Sequence, residues 1–154
     1  MLLAATDYDR AAGYPRRRAT LALVLAAILL PSSVAAEYEK DMQEKFCAGM
    51  EMEVYLPNGS RADCIREDVA IEVDFSDSWA EAIGQALHYG AVTERRPSII
   101  LVCKAATQER TCLGHKLRLE ETIAYWNIGM MVWFCDSRDD SLSECQFRDF
   151  FGPE

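Results

Sequence analysis

The chain has 154 residues, enough for one domain, and 50% of them are hydrophobic and 27% charged. It carries no low-complexity tract and no internal repeat, which excludes repeat arrays and low-complexity disorder. The formal net charge is −9, and acidic proteins repel a phosphate backbone unless a basic patch or a divalent cation intervenes, so tight non-specific nucleic-acid binding is disfavoured.

Residues 1–36 read as a leader with a secretory signal. Arg16, Arg17 and Arg18 supply a positive region, Leu21–Leu30 (LALVLAAILL) an apolar run, and Val34-Ala35-Ala36 small residues at a cleavage position. The apolar run is shorter than the roughly 20 residues of a membrane-spanning helix. The expectation is an exported protein, periplasmic or secreted, with residues 37–154 forming one domain and no membrane-spanning segment in it. Those residues hold 12 basic and 23 acidic side chains, a net charge of −11.

All six cysteines (Cys47, Cys64, Cys103, Cys112, Cys135 and Cys145) lie in that part. An even count in an exported domain favours disulfides over thiols. Connectivity does not follow from spacing alone; pairing between chain neighbours gives 47–64, 103–112 and 135–145. No Cys-x-x-Cys spacing points to zinc.

Residues 38–48 (YEKDMQEKFCA) predict a short helix, with Tyr38, Met42, Lys45 and Phe46 at helical spacing and Gly49 as its stop. Met52–Leu56 and Arg61–Arg66 predict two strands joined through Pro57-Asn58-Gly59-Ser60 as a hairpin. Asp68–Phe75 predicts a third strand, rich in β-branched residues. Ser78, with Glu81 three residues on, predicts a capping box. It opens a helix from Trp79 to about Ala91 whose apolar face is Trp79, Ala82, Ile83, Ala86, Leu87 and Gly90.

Ser98–Cys103 (SIILVC) predicts a buried strand. A loop with Cys112 and Gly114 leads to a second amphipathic helix over 115–127, and Met130–Cys135 predicts a last strand. Trp79, Trp126 and Trp133 read as core. The tail from Asp136 predicts no element, and Asp136–Asp140 reads as a solvated loop. The order α-β-β-β-α-β-α-β predicts an α/β fold with helices flanking a mixed sheet.

The chemistry concentrates in the third strand. Side chains alternate along a strand, so Ile71, Val73 and Phe75 point one way and Glu72 and Asp74 the other. If the second and third strands pair through the turn at Glu67-Asp68, Asp63 lies near Glu72. Three carboxylates then converge at a sheet edge. Close like charges are unfavourable, and a divalent cation with hard oxygen ligands is the natural compensation. The bland reading of the same residues is a set of solvated edge-strand carboxylates.

The arrangement resembles the PD-(D/E)xK, or restriction-endonuclease-like, nuclease superfamily. Gly59-Ser60-Arg61-Ala62-Asp63 matches its Asp motif, Glu72-Val73-Asp74 stands at its Glu-x-Lys position, and Gln85-Ala-Leu-His-Tyr89 matches a Gln-xxx-Tyr helix motif. The resemblance covers residues 37 to 135 and implies a restriction-endonuclease-like core (α-β-β-β-α-β plus a further helix and strand). It implies Asp63 and Glu72 as ligands of Mg²⁺ or Mn²⁺, together with the Val73 carbonyl, Asp74 as a third metal ligand or as the base for a metal-bound water, and Gln85 and Tyr89 as orienting groups. An acidic residue of the first helix, Glu39 or Glu44, completes such a site.

The chain departs from the pattern where Asp74 replaces the lysine. Arg61 or His88 are the nearby groups able to supply the missing positive charge. The implied function is metal-dependent phosphodiester hydrolysis, DNA first. The alternative is a catalytically inactive domain on the same fold, acting as a periplasmic or secreted binding module. Arg61, Arg95, Arg96 or Arg110 around the carboxylates favours the enzyme; an acidic or apolar surface favours the module.

Overall fold

The computed structural model describes residues 31–152, with side chains from Tyr38. Most of the leader reading therefore falls outside the described residues. The first helix, α1 (Pro31–Phe46), starts earlier than the predicted 38–48 and ends two residues sooner. Five strands and two helices follow, with β6 added at the end: β1 (Glu51–Tyr55), β2 (Arg61–Arg66), β3 (Val69–Phe75), α2 (Trp79–Thr93), β4 (Arg96–Cys103), α3 (Glu109–Tyr125), β5 (Met130–Asp136) and β6 (Gln146–Phe150).

The strands form one six-stranded sheet in chain order, β1-β2-β3-β4-β5-β6. The pairs β1–β2, β2–β3 and β5–β6 are antiparallel, and β3–β4 and β4–β5 are parallel. The sheet is thus mixed and flanked by helices, as the order of elements predicts. Both parallel crossovers step the same way across the sheet, so α2 and α3 lie on one face. There Ala82, Ile83, Ala86, Leu119 and Ile123 pack on Ile99, Leu101, Met130 and Val132.

α1 covers the opposite face. Met42 and Phe46 pack against Ile71, Val73, Phe75, Ile100 and Val102. Tyr38 stacks on Phe75 with ring centroids 5.2 Å apart. Lys45 Nζ donates to the Ser137 carbonyl at 2.9 Å, tying the helix to the end of β5.

Three disulfides join Cys47 to Cys64, Cys103 to Cys112, and Cys135 to Cys145, with Cα–Cα distances of 6.0, 5.9 and 4.5 Å. These are the neighbour pairings. Three disulfides suit an oxidising compartment. Among the described residues no helix is long and apolar enough to cross a membrane.

Several local expectations fail for identifiable reasons. Ser78 makes no side-chain cap, because a 3₁₀ turn (Ser76–Ser78) runs directly into α2 and extends the helix backwards. Leu87 is exposed while Tyr89 is buried, so the inward face of α2 is rotated toward the sheet's polar patch. Cys112 and Gly114 lie within α3 and not in a loop, which begins at Glu109. Trp126 is 69% exposed and is not core; it follows the last residue of α3. The unassigned tail forms β6, an edge strand whose side chains are mostly exposed and therefore carry no apolar alternation. Arg96 holds β6 in place, pairing with Asp149 and donating to the Phe150 carbonyl at 2.9 Å.

At Gly90 the backbone of α2 passes close to the segment that opens β4. A Cβ there would stand 2.9 Å from the Arg95 carbonyl oxygen and 3.1 Å from Pro97. Neither neighbour is a flexible side-chain end. Gly90→Ala is expected to destabilise the domain by about 1–3 kcal/mol despite alanine's better helix propensity. Urea unfolding measures it, and a stabilised variant would contradict the close packing.

Candidate functional site

Glu72 and Asp74 sit at the middle of β3, whose other face, Val69, Ile71, Val73 and Phe75, is all core. β3 is an interior strand, so the carboxylates do not lie at a sheet edge as expected; they face α2 within the sheet. Burial there is deep: Glu72 is 4% and Asp74 9% exposed.

The β2–β3 register pairs Cys64 with Ile71, which sets Asp63 opposite Glu72. The ladder stops at that point. Asp63 replaces the missing ladder bond with its side chain, Oδ2 accepting from Val73 N–H at 2.8 Å. Asp74 Oδ1 accepts from Phe75 N–H at 2.6 Å.

α2 supplies the opposite wall. Tyr89 Oη donates to Gln85 Oε1 at 3.1 Å, and Gln85 Nε2 donates to Glu81 Oε1 at 3.4 Å. Glu81, Gln85 and Tyr89 recur every four residues, so one helical stripe carries all three. The sequence holds this signal, but Glu81 reads there as a capping residue.

All five sequence-predicted residues, Asp63, Glu72, Asp74, Gln85 and Tyr89, line one cavity of about 370 Å³. Glu39, Arg61, Ser78 and Glu81 complete it. Of the two first-helix carboxylates, Glu39 lines the cavity, whereas Glu44 lies on the surface 3.7 Å from Lys40. Among the described residues Arg61 is the one basic side chain in the lining, and it is paired with Glu53. Arg95 instead donates to the Glu67 carbonyl at 2.9 Å, Arg96 pairs with Asp149, and Arg110 lies on α3. His88 faces outward and contacts Asn58 and Ser60 at 2.8 and 3.2 Å.

Burial dominates the electrostatics. It pushes Glu72 up to about 9, with the Asp63 charge adding to it, and Asp63 up to about 6; the two titrate as a pair. Asp74 rises to about 6, again chiefly by burial, against the Phe75 N–H bond that favours its charged form. Glu39 is raised by burial and by the Asp63 and Glu81 charges. The Tyr89 hydroxyl is raised by burial and by the Glu72 charge. Burial thus favours the protonated form of Glu72.

These carboxyls bind protons more tightly in the folded than in the unfolded chain. For Glu72 the window runs from 4.5 to about 9, and stability falls as pH rises through it. Asp77 and Asp136 shift the opposite way, but from an ordinary value of 3.8 downwards, below that window. With chelator present, the thermal midpoint is expected to be higher at about pH 5 than at about pH 8. Circular dichroism tests this; a midpoint rising over that interval would contradict the shifts.

Among the described residues no group of three or more His, Cys, Asp or Glu side chains is already placed to hold a metal ion. The donor set is nevertheless of the type that hard divalent cations take. It consists of hard oxygens, and Glu72 Oε2 is buried without a hydrogen-bond partner among the described residues. Asp63 and Asp74 each spend one oxygen on a backbone N–H and retain the other. The fit is one of donor chemistry and buried charge, not of a preformed coordination shell.

Comparison with protein-family models, curated proteins and solved structures finds no match to this chain.

Proposed function

We propose that this chain is an exported domain of the restriction-endonuclease-like kind that hydrolyses phosphodiester bonds, DNA first, with Mg²⁺ or Mn²⁺ held by Asp63, Glu72 and Asp74. One observation carries the reading: Glu39 from α1, Asp63 from β2, Glu72 and Asp74 from β3, and Gln85 and Tyr89 from α2 meet in a single cavity. That is the set of elements, in that order, on which the resemblance places a nuclease site.

When bound, such a cation supplies Lewis-acid stabilisation of charge developing at the phosphoryl group. The chain's own residues prepare the rest. The Val73 N–H fixes the Asp63 carboxylate, leaving Oδ1 for ligation. Glu72 gives up its proton to become a ligand, so cation affinity rises with pH. Asp74 keeps the oxygen that does not accept from the Phe75 N–H, and this oxygen serves either as a further ligand or as the base for attacking water. Gln85 is held between Glu81 and Tyr89, which presents a fixed amide to water or substrate.

The second reading is a catalytically inactive binding module on the same architecture. It is favoured by Asp74 at the lysine position and by a lining that holds five carboxylates against Arg61 alone among the described residues.

The test is cleavage of plasmid, linear and single-stranded DNA by the oxidised protein with Mg²⁺ or Mn²⁺, beside Asp63→Ala. The expected result is cation-dependent cleavage that falls by roughly 10³-fold in the variant. A wild type inert on every substrate moves the assignment to the binding module.

A further inference from the structure

Resting on the hydrolytic reading above, we infer that Arg61 is the residue that grips the scissile phosphate, exchanging Glu53 for substrate. A phosphodiester entering a cavity lined by Glu39, Asp63, Glu72, Asp74 and Glu81 meets repulsion. Even a bound divalent cation leaves several of these charges uncompensated. Arg61 is the one basic side chain in this cavity's lining among the described residues, and a guanidinium fork matches a phosphate with two parallel hydrogen bonds.

Its position suits the exchange. A second cavity of about 340 Å³ adjoins the first, lined by Lys40, Gln43 and Glu53 and sharing Glu39, Arg61 and Asp63 with it. Arg61 stands where the two meet. Space on both sides of it suits a polymer continuing past the scissile bond rather than a mononucleotide. In the resting state Arg61 pairs with Glu53, the side chains being 49% and 38% exposed. A pair that solvated contributes little to stability, so its exchange for a phosphate is cheap.

The backbone under Glu53 is a second, independent sign. Glu53 adopts φ 55, in the left-handed region, in the middle of β1. The β1–β2 register pairs Met52 with Cys64 and Val54 with Ala62, passing over Glu53 and Asp63. A non-glycine residue in this conformation is strained, and such strain concentrates at ligand clamps. Here it sits on the strand neighbour of Asp63 and holds the carboxylate that occupies Arg61.

The experiment uses the oxidised full chain, a fluorescent single-stranded oligonucleotide and Mn²⁺, reading kcat, KM and, separately, Mn²⁺ affinity by electron paramagnetic resonance. Arg61→Gln is expected to lose roughly 10²- to 10³-fold in kcat. Its Mn²⁺ affinity holds or tightens, since a positive charge has left the carboxylates. Arg61→Lys recovers part of the loss. Glu53→Gln moves the other way, lowering KM by about threefold or more as Arg61 is released. Opposite effects at two ends of one ion pair are not what a purely structural pair gives. A wild type that cleaves beside an Arg61→Gln that cleaves equally, or Arg61→Gln and Glu53→Gln impaired alike, overturns this inference and leaves the hydrolytic reading standing. A wild type that neither cleaves nor binds Mn²⁺ overturns both.

Discussion

On the proposed hydrolytic reading, Glu72→Gln is expected to remove cation-dependent cleavage, by roughly 10³-fold or more, while making the metal-free protein more stable. The two effects have one source. Glu72 is buried opposite Asp63, and its Oε2 has no hydrogen-bond partner among the described residues. Burial, with the Asp63 charge adding to it, pushes its carboxyl up to about 9. An ionised Glu72 is costly to the metal-free fold, and the cost grows as pH rises from 4.5 toward that value. Glutamine keeps the shape and discards the charge. The gain should be on the order of 2 kcal/mol at about pH 8 and small at about pH 5. Thermal unfolding in chelator at both pH values, beside a DNA cleavage assay with Mn²⁺, separates the terms. A variant that cleaves at wild-type rate would remove Glu72 from the site; one that is destabilised at the higher pH would mean that its carboxyl is compensated in the fold.

Replacing Cys47 and Cys64 together by alanine is expected to cost about 3 kcal/mol of unfolding free energy. Both cysteines are fully buried, and the bridge closes a loop of sequence separation 17. It clamps the end of α1 to β2, the strand that carries Asp63. Losing it therefore frees the helix that brings Glu39 to the cavity, so cation affinity falls along with stability. The same change at Cys103 and Cys112, separation 9, should cost less, because a shorter loop loses less entropy on closure. Urea titration of both double variants gives the ranking, and hydrogen exchange locates the loosened helix. Equal losses, or protection unchanged over 38–46, would mean that Met42, Phe46 and the Tyr38–Phe75 stack hold α1 without the bridge.

Much of this architecture is legible along the chain because it rests on local physics. The alternation through Ile71, Glu72, Val73, Asp74 and Phe75 states which side chains share a face, whatever the strand later pairs with. The run Ile99–Cys103 is apolar because β4 is buried on both faces of the sheet. The tight turn at Glu67-Asp68 brings β3 back along β2 and so puts Asp63 across from Glu72. Neighbouring cysteines pair because elements close in the chain pack together: Cys103–Cys112 and Cys135–Cys145 join consecutive segments, and Cys47–Cys64 reaches across β1 from the end of α1 to β2.

Tertiary structure alone decided the remainder, since each point depends on what arrives from elsewhere in the chain. Glu39 and Glu44 are both helix carboxylates, and only the docking of α1 against Phe75 aims Glu39 at the cavity. β6 has no apolar rhythm of its own; β5, Arg96 and the Cys135–Cys145 bridge make it a strand. β3 reads as an edge strand until β4 pairs along its whole length. The raised proton affinities of Asp63, Glu72 and Asp74 come chiefly from burial, a property of the packed sheet and helices that no residue possesses by itself.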